Sequence, residues 1–165
     1  MKRYIHYGSS KFDPNRFKGF DQGKWNDFYS GINKPGHGVG LWGSPAAGSY
    51  ISWREWCENE DFYTDKLKES FMFSVRPKAK ILKVRCLKDI KPYMTSRSTM
   101  FPEEYIKQCC WIELSPIIDF KKLSKEYNGM ELIHSRKTYC ELHDSYFYTW
   151  DVDSIVVWDK EVIVA

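Results

Sequence analysis

The alternation of apolar and polar residues predicts strands at both ends of the chain. Residues 3–7 alternate with period two and end at a glycine–serine turn, which is typical of a strand that leads into a loop. Near the other end, residues 130–134, 154–158 and 162–164 predict three further strands, and the last two of these segments are rich in β-branched side chains. Strands are therefore expected to dominate both ends of the fold.

Between the ends, the pattern predicts short helices and further strands. Ser52 is a good N-cap residue and Glu55 completes a capping box, so a helix is expected over about 52–59. The other predicted elements are strands at 40–45, 70–75 and 79–85, and helices at 62–69, after Pro102 and from Pro116 to Gly129. Residues 10–39, rich in glycine and proline, are predicted to form a long ligand-binding or lid loop. We expect a mixed α+β fold in a single domain over residues 1–165.

The composition indicates the cellular compartment of the protein but identifies no binding partner. Aromatic residues make up 17% of the chain, and their rings stack on flat ligands as readily as they fill a core. The net charge of +3 arises from basic and acidic residues spread along the whole chain, and no run of Lys and Arg is long enough for a nucleic-acid-binding arm. A nucleic-acid partner is nevertheless retained as an alternative. Five cysteines without CxxC spacing predict a reduced, cytoplasmic setting. No apolar run approaches the roughly 18 residues of a membrane helix, so no membrane association is expected.

Other chemistries receive little support from the sequence. The four histidines lack the paired or i,i+4 spacing of metal ligands, so no metal site is expected. Cys109 and Cys110 fall within a predicted helix, and no cysteine follows a strand at a sharp turn, which argues against a cysteine nucleophile. The glycine-rich stretch 36–40 lacks the Lys-Ser/Thr step of a phosphate loop.

Two acidic residues precede the predicted strand at 154–158. Asp151 and Asp153 are two positions apart, so both carboxylates can face the same side of an extended chain. A carboxylate at a strand tip can stabilise positive charge that develops on a bound substrate and can accept a hydrogen bond from its hydroxyl groups. Asp153 is the candidate for this role, and Asp151 could orient or deprotonate an acceptor. The alternative is a solvated turn before an edge strand.

Two N-terminal segments carry candidate ligand-binding residues. In residues 4–9 an apolar strand ends at Gly8, where the backbone can approach a ligand closely. In the strand 40–45, Trp42 is followed eleven residues later by Trp53. Two such rings can hold a flat cationic ring, each face contributing about 0.5–2 kcal/mol. Trp53 could equally pack into the core.

In this order, the three segments resemble the signature regions of the ADP-ribosyltransferase fold, in its poly-ADP-ribose-polymerase-like, His-Tyr-Glu branch. The ten residues 153–162 are similar to the final motif of that branch without gaps. The family usually has Glu at the position of Asp153, and here Tyr7 rather than His6 directly precedes the glycine, so either could contact the adenosine ribose. Small bacterial or phage proteins of this type also look similar at the Trp-Asp-x-Asp-Ser-Ile end.

The resemblance implies a split, strongly bent pair of antiparallel sheets with flanking short helices. It implies a transferase that cleaves NAD, releases nicotinamide and moves ADP-ribose to a protein or nucleic-acid acceptor. Asp153 and Asp151 would be catalytic, and NAD would be bound by His6, Tyr7, Gly8, Ser9, Gly40, Leu41, Trp42, Ser44 and Trp53. The alternatives are a non-catalytic nucleotide- or protein-binding member of the same fold and an NAD glycohydrolase.

Overall fold

The fold combines one large mixed sheet with short helices and confirms the expected α+β class. The computed structural model describes residues 1–28, 33–36, 38–96, 116–142, 147 and 149–165. No helix in these ranges is long and apolar enough to cross a membrane.

Nine strands and five α-helices are described. In chain order the strands are β1 (Arg3–Tyr7), β2 (Leu41–Pro45), β3 (Ser70–Val75), β4 (Ile81–Val84), β5 (Met94–Thr95), β6 (Ile117–Ile118), β7 (Gly129–Leu132), β8 (Ser154–Val157) and β9 (Ile163–Val164). The α-helices are α1 (Trp25–Phe28), α2 (Trp53–Asn59), α3 (Leu87–Ile90), α4 (Phe120–Glu126) and α5 (Tyr139–Leu142). Three 3-10 turns occupy Thr64–Lys68, Lys91–Tyr93 and Lys160–Val162.

The strand order of the main sheet brings the two ends of the chain together. Seven strands run in the order β4-β7-β8-β2-β1-β3-β9, and β5 pairs with β6 separately. Strand β1 lies between β2 and β3, with Ile5 opposite Ser44 on one side and Met72 on the other. The pair β4 and β7 is parallel, so the strands are mixed in direction, where antiparallel strands alone were expected. The long connection between β4 and β7 permits this parallel pairing.

Each face of the sheet packs against its own apolar cluster. Ile155 and Val157 join a cluster with Tyr4 and Phe73, whereas Val156 joins a larger cluster on the other face. Alternate residues of β8 therefore point to opposite faces, as the period of a strand requires. All strand residues from Ile155 to Val157 are buried, so β8 is a central strand and not the edge strand of the alternative prediction.

Several predicted elements are confirmed. The strands at 3–7 and 70–75 have the predicted bounds, and β2, β4, β7, β8 and β9 lie within about two residues of theirs. Helix α2 begins after Ser52, whose hydroxyl accepts from the Glu55 amide at 3.2 Å. The long loop 10–39 contains the short helix α1 but is otherwise irregular in its described residues.

Two helix predictions need correction. The segment predicted as a helix over 62–69 forms a 3-10 turn at Thr64–Lys68. The helix predicted to open at Pro116 is wrong, because Ile117 and Ile118 form a strand and α4 begins only after Asp119, which accepts from the Lys122 amide at 2.8 Å. The helix predicted after Pro102 lies outside the described residues.

Candidate functional site

A cavity of about 450 Å³ lies over β1, β2 and the start of β8. Further walls come from the loop around Lys34, from the segment 150–152 and from the start of α2. Tyr63 and Lys66, at the 3-10 turn after α2, complete its rim. Its volume falls within the range of about 300–1,000 Å³ that is usual for small-molecule sites.

The cavity collects part of the predicted site. Six predicted residues line it, namely His6, Tyr7, Trp42, Ser44, Trp53 and Asp151. Five others are not among its lining residues, namely Gly8, Ser9, Gly40, Leu41 and Asp153. Four further lining residues, Lys34, Pro35, Gly36 and Gly38, belong to the loop 10–39 that was predicted to bind a ligand, although none was singled out. The lining residues not predicted are Ile5, Gly43, Tyr63, Lys66, Trp150, Val152 and Ser154.

The two tryptophans predicted to bind a flat ligand ring both border the cavity, and the ring of each packs against a second tryptophan. The centroid of the Trp42 ring lies 4.8 Å from that of Trp150, and its indole nitrogen donates to the Val39 carbonyl at 3.3 Å. The ring of Trp53 stacks on that of Trp56, with centroids 5.3 Å apart and planes 20° apart. Both lining rings are half-buried, so they are held in place and still border the open space.

Ser44 joins the sheet to the start of α2. The side chain is buried, and its hydroxyl oxygen accepts from the Trp53 amide at 3.2 Å. This amide belongs to the first turn of the helix, where backbone N–H groups have no partner within the helix. Ser44 therefore fixes Trp53 over the cavity, and its own O–H can still donate to a ligand.

His6 and Tyr7 are both at the cavity, but in different surroundings. The Nδ1 atom of His6 lies 2.8 Å from the Trp42 carbonyl oxygen, which can only accept, so Nδ1 carries the hydrogen of this bond. In the neutral ring Nε2 is then an acceptor. The Arg54 guanidinium lies 5.4 Å from the centre of the Tyr7 ring, and a hydrogen bond with Tyr7 is the main cause that raises the pKa of Arg54.

Asp153 is buried, accepts hydrogen bonds from the fold itself and is not among the lining residues of the cavity. It is only 2% exposed, and its carboxylate accepts from the Tyr50 amide at 3.1 Å and from the His134 amide at 2.6 Å. Its Oδ1 atom also lies 3.1 Å from Nδ1 of His134. The expectation that this carboxylate faces the ligand is therefore corrected. The period-two argument failed because β8 begins only at Ser154, so the backbone from Asp151 to Asp153 is not a strand.

Asp151 is the acidic residue that lines the cavity, and it does so near a lysine. The ammonium of Lys34 lies 5.8 Å from the centre of the Trp42 ring. Burial lowers the pKa of Lys34, and the smaller effect of Asp151 raises it. A second lysine, Lys66, lines the same space from the exposed rim. The cavity thus presents two cations, one carboxylate and several aromatic rings.

The predicted residues outside the cavity lining have structural roles. Gly8 ends β1 with φ of +95°, a conformation that favours glycine, and its amide donates to the Glu69 carbonyl at 2.9 Å. Gly40 has φ of +78°, and an added Cβ would lie 2.7 Å from a methyl group of Val156. The Ser9 hydroxyl donates to the Lys11 carbonyl at 2.8 Å, and Leu41 is buried in the core.

Within the described part of the chain, no group of three or more His, Cys, Asp or Glu side chains could hold a metal ion. His37, His143, Cys109 and Cys110 lie outside the described residues.

Comparisons with protein-family models, with curated proteins and with solved structures give no match for this chain. Function is therefore inferred from the side chains that surround the cavity.

Proposed function

We propose that the protein transfers ADP-ribose from NAD to an acceptor and releases nicotinamide. The observation that carries the proposal is that Tyr7, the pair Trp42 and Trp53, and Asp151 line one cavity, although they come from three separate segments of the chain. These are the segments that resemble the ADP-ribosyltransferase signature regions. An ADP-ribosyltransferase-like fold is part of the proposal, and the adjacency of β1, β2 and β8 in the sheet supports it.

The lining side chains suit the separate parts of NAD. Trp42 and Trp53 offer faces for the cationic nicotinamide ring, which aromatic faces attract. Lys34 and Lys66 offer two ammonium groups for the diphosphate. The Ser44 hydroxyl, held by the Trp53 amide, can donate to a ribose oxygen. The mixed charge of the cavity thus matches a ligand that has both a cationic ring and an anionic linker.

The reaction requires stabilisation of a positive ribose. Nicotinamide leaves with the electron pair of its bond to C1′ and is then neutral, while the ribose becomes an oxocarbenium-like cation. Asp151, the carboxylate at the cavity, stabilises this charge. The nucleophile of the acceptor then bonds to C1′ and gives up its proton, for which Asp151 is also a candidate base among the lining residues. Asp153 has a positioning role, because it anchors the start of β8.

The test is nicotinamide release from NAD by the purified protein, with and without a cell lysate as the source of acceptor. We expect Asp151→Asn to lower the rate by about 100-fold or more, the usual effect of losing a group that stabilises transition-state charge. The control is Asp13→Asn, which removes a carboxylate from a turn where an amide oxygen can still accept from Asn15. Absence of NAD binding at millimolar concentration, together with no nicotinamide release, would refute the proposal.

A second candidate function is nucleotide binding without catalysis. It is favoured by the burial of Asp153. The carboxylate of this residue, which resembles the catalytic acid of the family, accepts hydrogen bonds from the Tyr50 and His134 amides and contacts the His134 ring. In that case NAD would raise the melting temperature of the protein without being consumed. An NAD glycohydrolase would instead release nicotinamide at the same rate with and without acceptor, and would label no lysate protein.

A further inference from the structure

Four aromatic side chains form a continuous group from the cavity to the protein surface. We call this group the aromatic rim, and its members are Trp53, Trp56, Phe62 and Tyr63. The ring centroids of Trp53 and Trp56 are 5.3 Å apart, those of Trp56 and Phe62 are 5.5 Å apart, and those of Phe62 and Tyr63 are 5.0 Å apart. Trp53 and Tyr63 also line the cavity. A molecule bound to the rim would therefore lie at the cavity mouth.

The outer half of the rim is open to solvent. Phe62 is 45% exposed and Tyr63 is 58% exposed. Exposed large apolar side chains occur singly on most surfaces, but a contiguous group beside a cavity is typical of an interaction site.

The backbone holds these two rings outward in an unfavourable conformation. Asp61 and Tyr63, on either side of Phe62, have φ of 49° and 58° and are the non-glycine residues with positive φ in the described part of the chain. The turn is fixed by the Phe62 amide, which donates to the Cys57 carbonyl at 2.9 Å. Such strain costs about 1–2 kcal/mol per residue and tends to occur at binding sites.

The charges around the rim indicate which class of molecule could bind there. The segment from Trp53 to Glu69 contains six acidic and three basic residues, although the whole chain has a net charge of +3. Two of the three basic residues are paired with acids, because Arg54 lies 3.5 Å from Glu58 and Lys68 lies 2.9 Å from Asp65. Glu60 and Asp61, next to Phe62, are exposed. The surface around the rim is therefore acidic and aromatic.

We propose that the aromatic rim binds a basic, arginine-containing peptide segment of the acceptor protein and so presents the acceptor to the cavity. Guanidinium groups stack on aromatic faces and pair with carboxylates, and the rim offers both. A nucleic acid would use the same rings but would meet the local excess of negative charge. This inference rests on the proposed transfer of ADP-ribose, of which it names the acceptor class.

The docking test uses the full chain without NAD. Fluorescence anisotropy is measured with a labelled 12-residue Arg/Gly/Ser peptide, with a Glu/Gly/Ser peptide of equal length and with oligouridine RNA. We expect preferential binding of the arginine peptide, weakened by 0.5 M salt, which shortens the Debye length to roughly 4 Å. Phe62→Ala and Glu60→Lys should each weaken this binding about fivefold, as expected for a contact of about 1 kcal/mol.

Matched variants control for loss of apolar surface and for change of charge. Met72→Ala removes a side chain that is 54% exposed on β3, and Glu161→Lys reverses an exposed charge next to β9; both should leave peptide binding unchanged. Binding of the acidic peptide or of RNA at least as tightly as the arginine peptide would overturn the inference. So would normal peptide binding by folded Phe62→Ala and Glu60→Lys.

The outcomes also separate this inference from the proposed function. If the protein releases nicotinamide but does not bind the arginine peptide, docking at the rim is refuted and ADP-ribose transfer stands. If it binds the peptide but neither binds nor consumes NAD, the transferase proposal fails while a peptide-binding surface stands.

Discussion

Asp151 and Asp153 have the same side chain, yet the structure gives them different surroundings. Asp151 is half-buried and lines the cavity, whereas Asp153 is buried and accepts two backbone hydrogen bonds. The bonds of Asp153 join the loop at Tyr50 and the residues after β7 to the start of β8. Its loss should therefore affect folding before it affects chemistry.

We predict that Asp153→Ala lowers the free energy of unfolding by about 2–4 kcal/mol, because it leaves the amides of Tyr50 and His134 without their acceptor in a buried site. Asp151→Asn should change it by less than about 1 kcal/mol, since the side chain is only half-buried and keeps its shape. Urea unfolding of the two variants and the wild type measures both effects. An Asp153→Ala variant of wild-type stability that has lost nicotinamide release would return Asp153 to a catalytic role.

At the scale of single elements, the sequence predicts best where the signal is local. Strand β1 was predicted with its observed bounds because its period-two alternation ends at Gly8 and Ser9, and β3 because a run with high strand propensity ends before Pro77. Helix α2 followed from Ser52, a predicted N-cap whose hydroxyl accepts from the Glu55 amide. Strand β6 could not be predicted, because Ser115 and Pro116 imitate a helix start and the strand depends on its distant partner β5.

The residues of the candidate site likewise divide into those with a local sequence signal and those without one. Trp42, Trp53 and Asp151 could be found because each belongs to a short motif. Tyr63 and Lys66 belong to no motif, and they reach the cavity only through the 3-10 turn that follows α2. The inward use of Asp153 was likewise hidden, because its partners Tyr50 and His134 lie far away in the sequence.

Strand β2 contains a glycine that packing requires. An added Cβ at Gly43 would lie 2.5 Å from a ring carbon of Phe73 and 3.0 Å from the Cβ atom of Tyr4. The Phe73 ring and the Tyr4 Cβ atom cover Gly43 on the face of the sheet that carries the Tyr4 cluster. The Tyr4 hydroxyl then donates to the buried carboxylate of Glu131 on β7 at 3.0 Å. The absence of a side chain at Gly43 therefore allows one ring to reach across the sheet.

We predict that Gly43→Ala lowers the free energy of unfolding by about 1–3 kcal/mol, because the methyl group forces the Phe73 ring to move within a packed core. Gly23→Ala is the control, since its added Cβ would meet nothing closer than an Asp21 oxygen at 3.4 Å and its φ is not positive. Thermal and urea unfolding compare the two variants. Equal stability of Gly43→Ala and Gly23→Ala would mean that Phe73 can shift freely.

For the whole molecule, the distribution of charge suggests two partners of opposite sign. The cavity contains Lys34 and Lys66, whereas the segment that surrounds the aromatic rim has more acidic than basic residues. The proposed diphosphate of NAD and the proposed basic peptide would thus be attracted to adjacent but different regions. Because the two regions meet at Trp53 and Tyr63, the acceptor would approach the ribose from the rim side.

The affinity of the cavity for a diphosphate should depend on pH through Lys34, and the burial of Lys34 sets the sign of this dependence. Burial lowers its pKa below the ordinary value of 10.5, so Lys34 loses its proton at a lower pH than an exposed lysine. Below the lowered pKa the ammonium is present and attracts an anion. As the pH rises through the lowered pKa, that attraction is lost. A bound diphosphate would favour the charged form and raise the pKa again, so binding in this interval takes up protons.

We therefore predict that NAD affinity falls as the pH rises towards 10.5, the ordinary lysine value. Lys34→Met should weaken binding at pH 7 by about fivefold or more, as expected for the loss of a partly buried charge contact of about 1 kcal/mol or more, and should remove most of the alkaline decline. Lys88→Met, which removes an exposed lysine on α3, is the control and should keep the wild-type profile. Quenching of tryptophan fluorescence by NAD at several pH values measures the affinity. If NAD binds the wild type and Lys34→Met equally well at pH 7, the diphosphate lies elsewhere, and Lys34 serves only to cover Trp42.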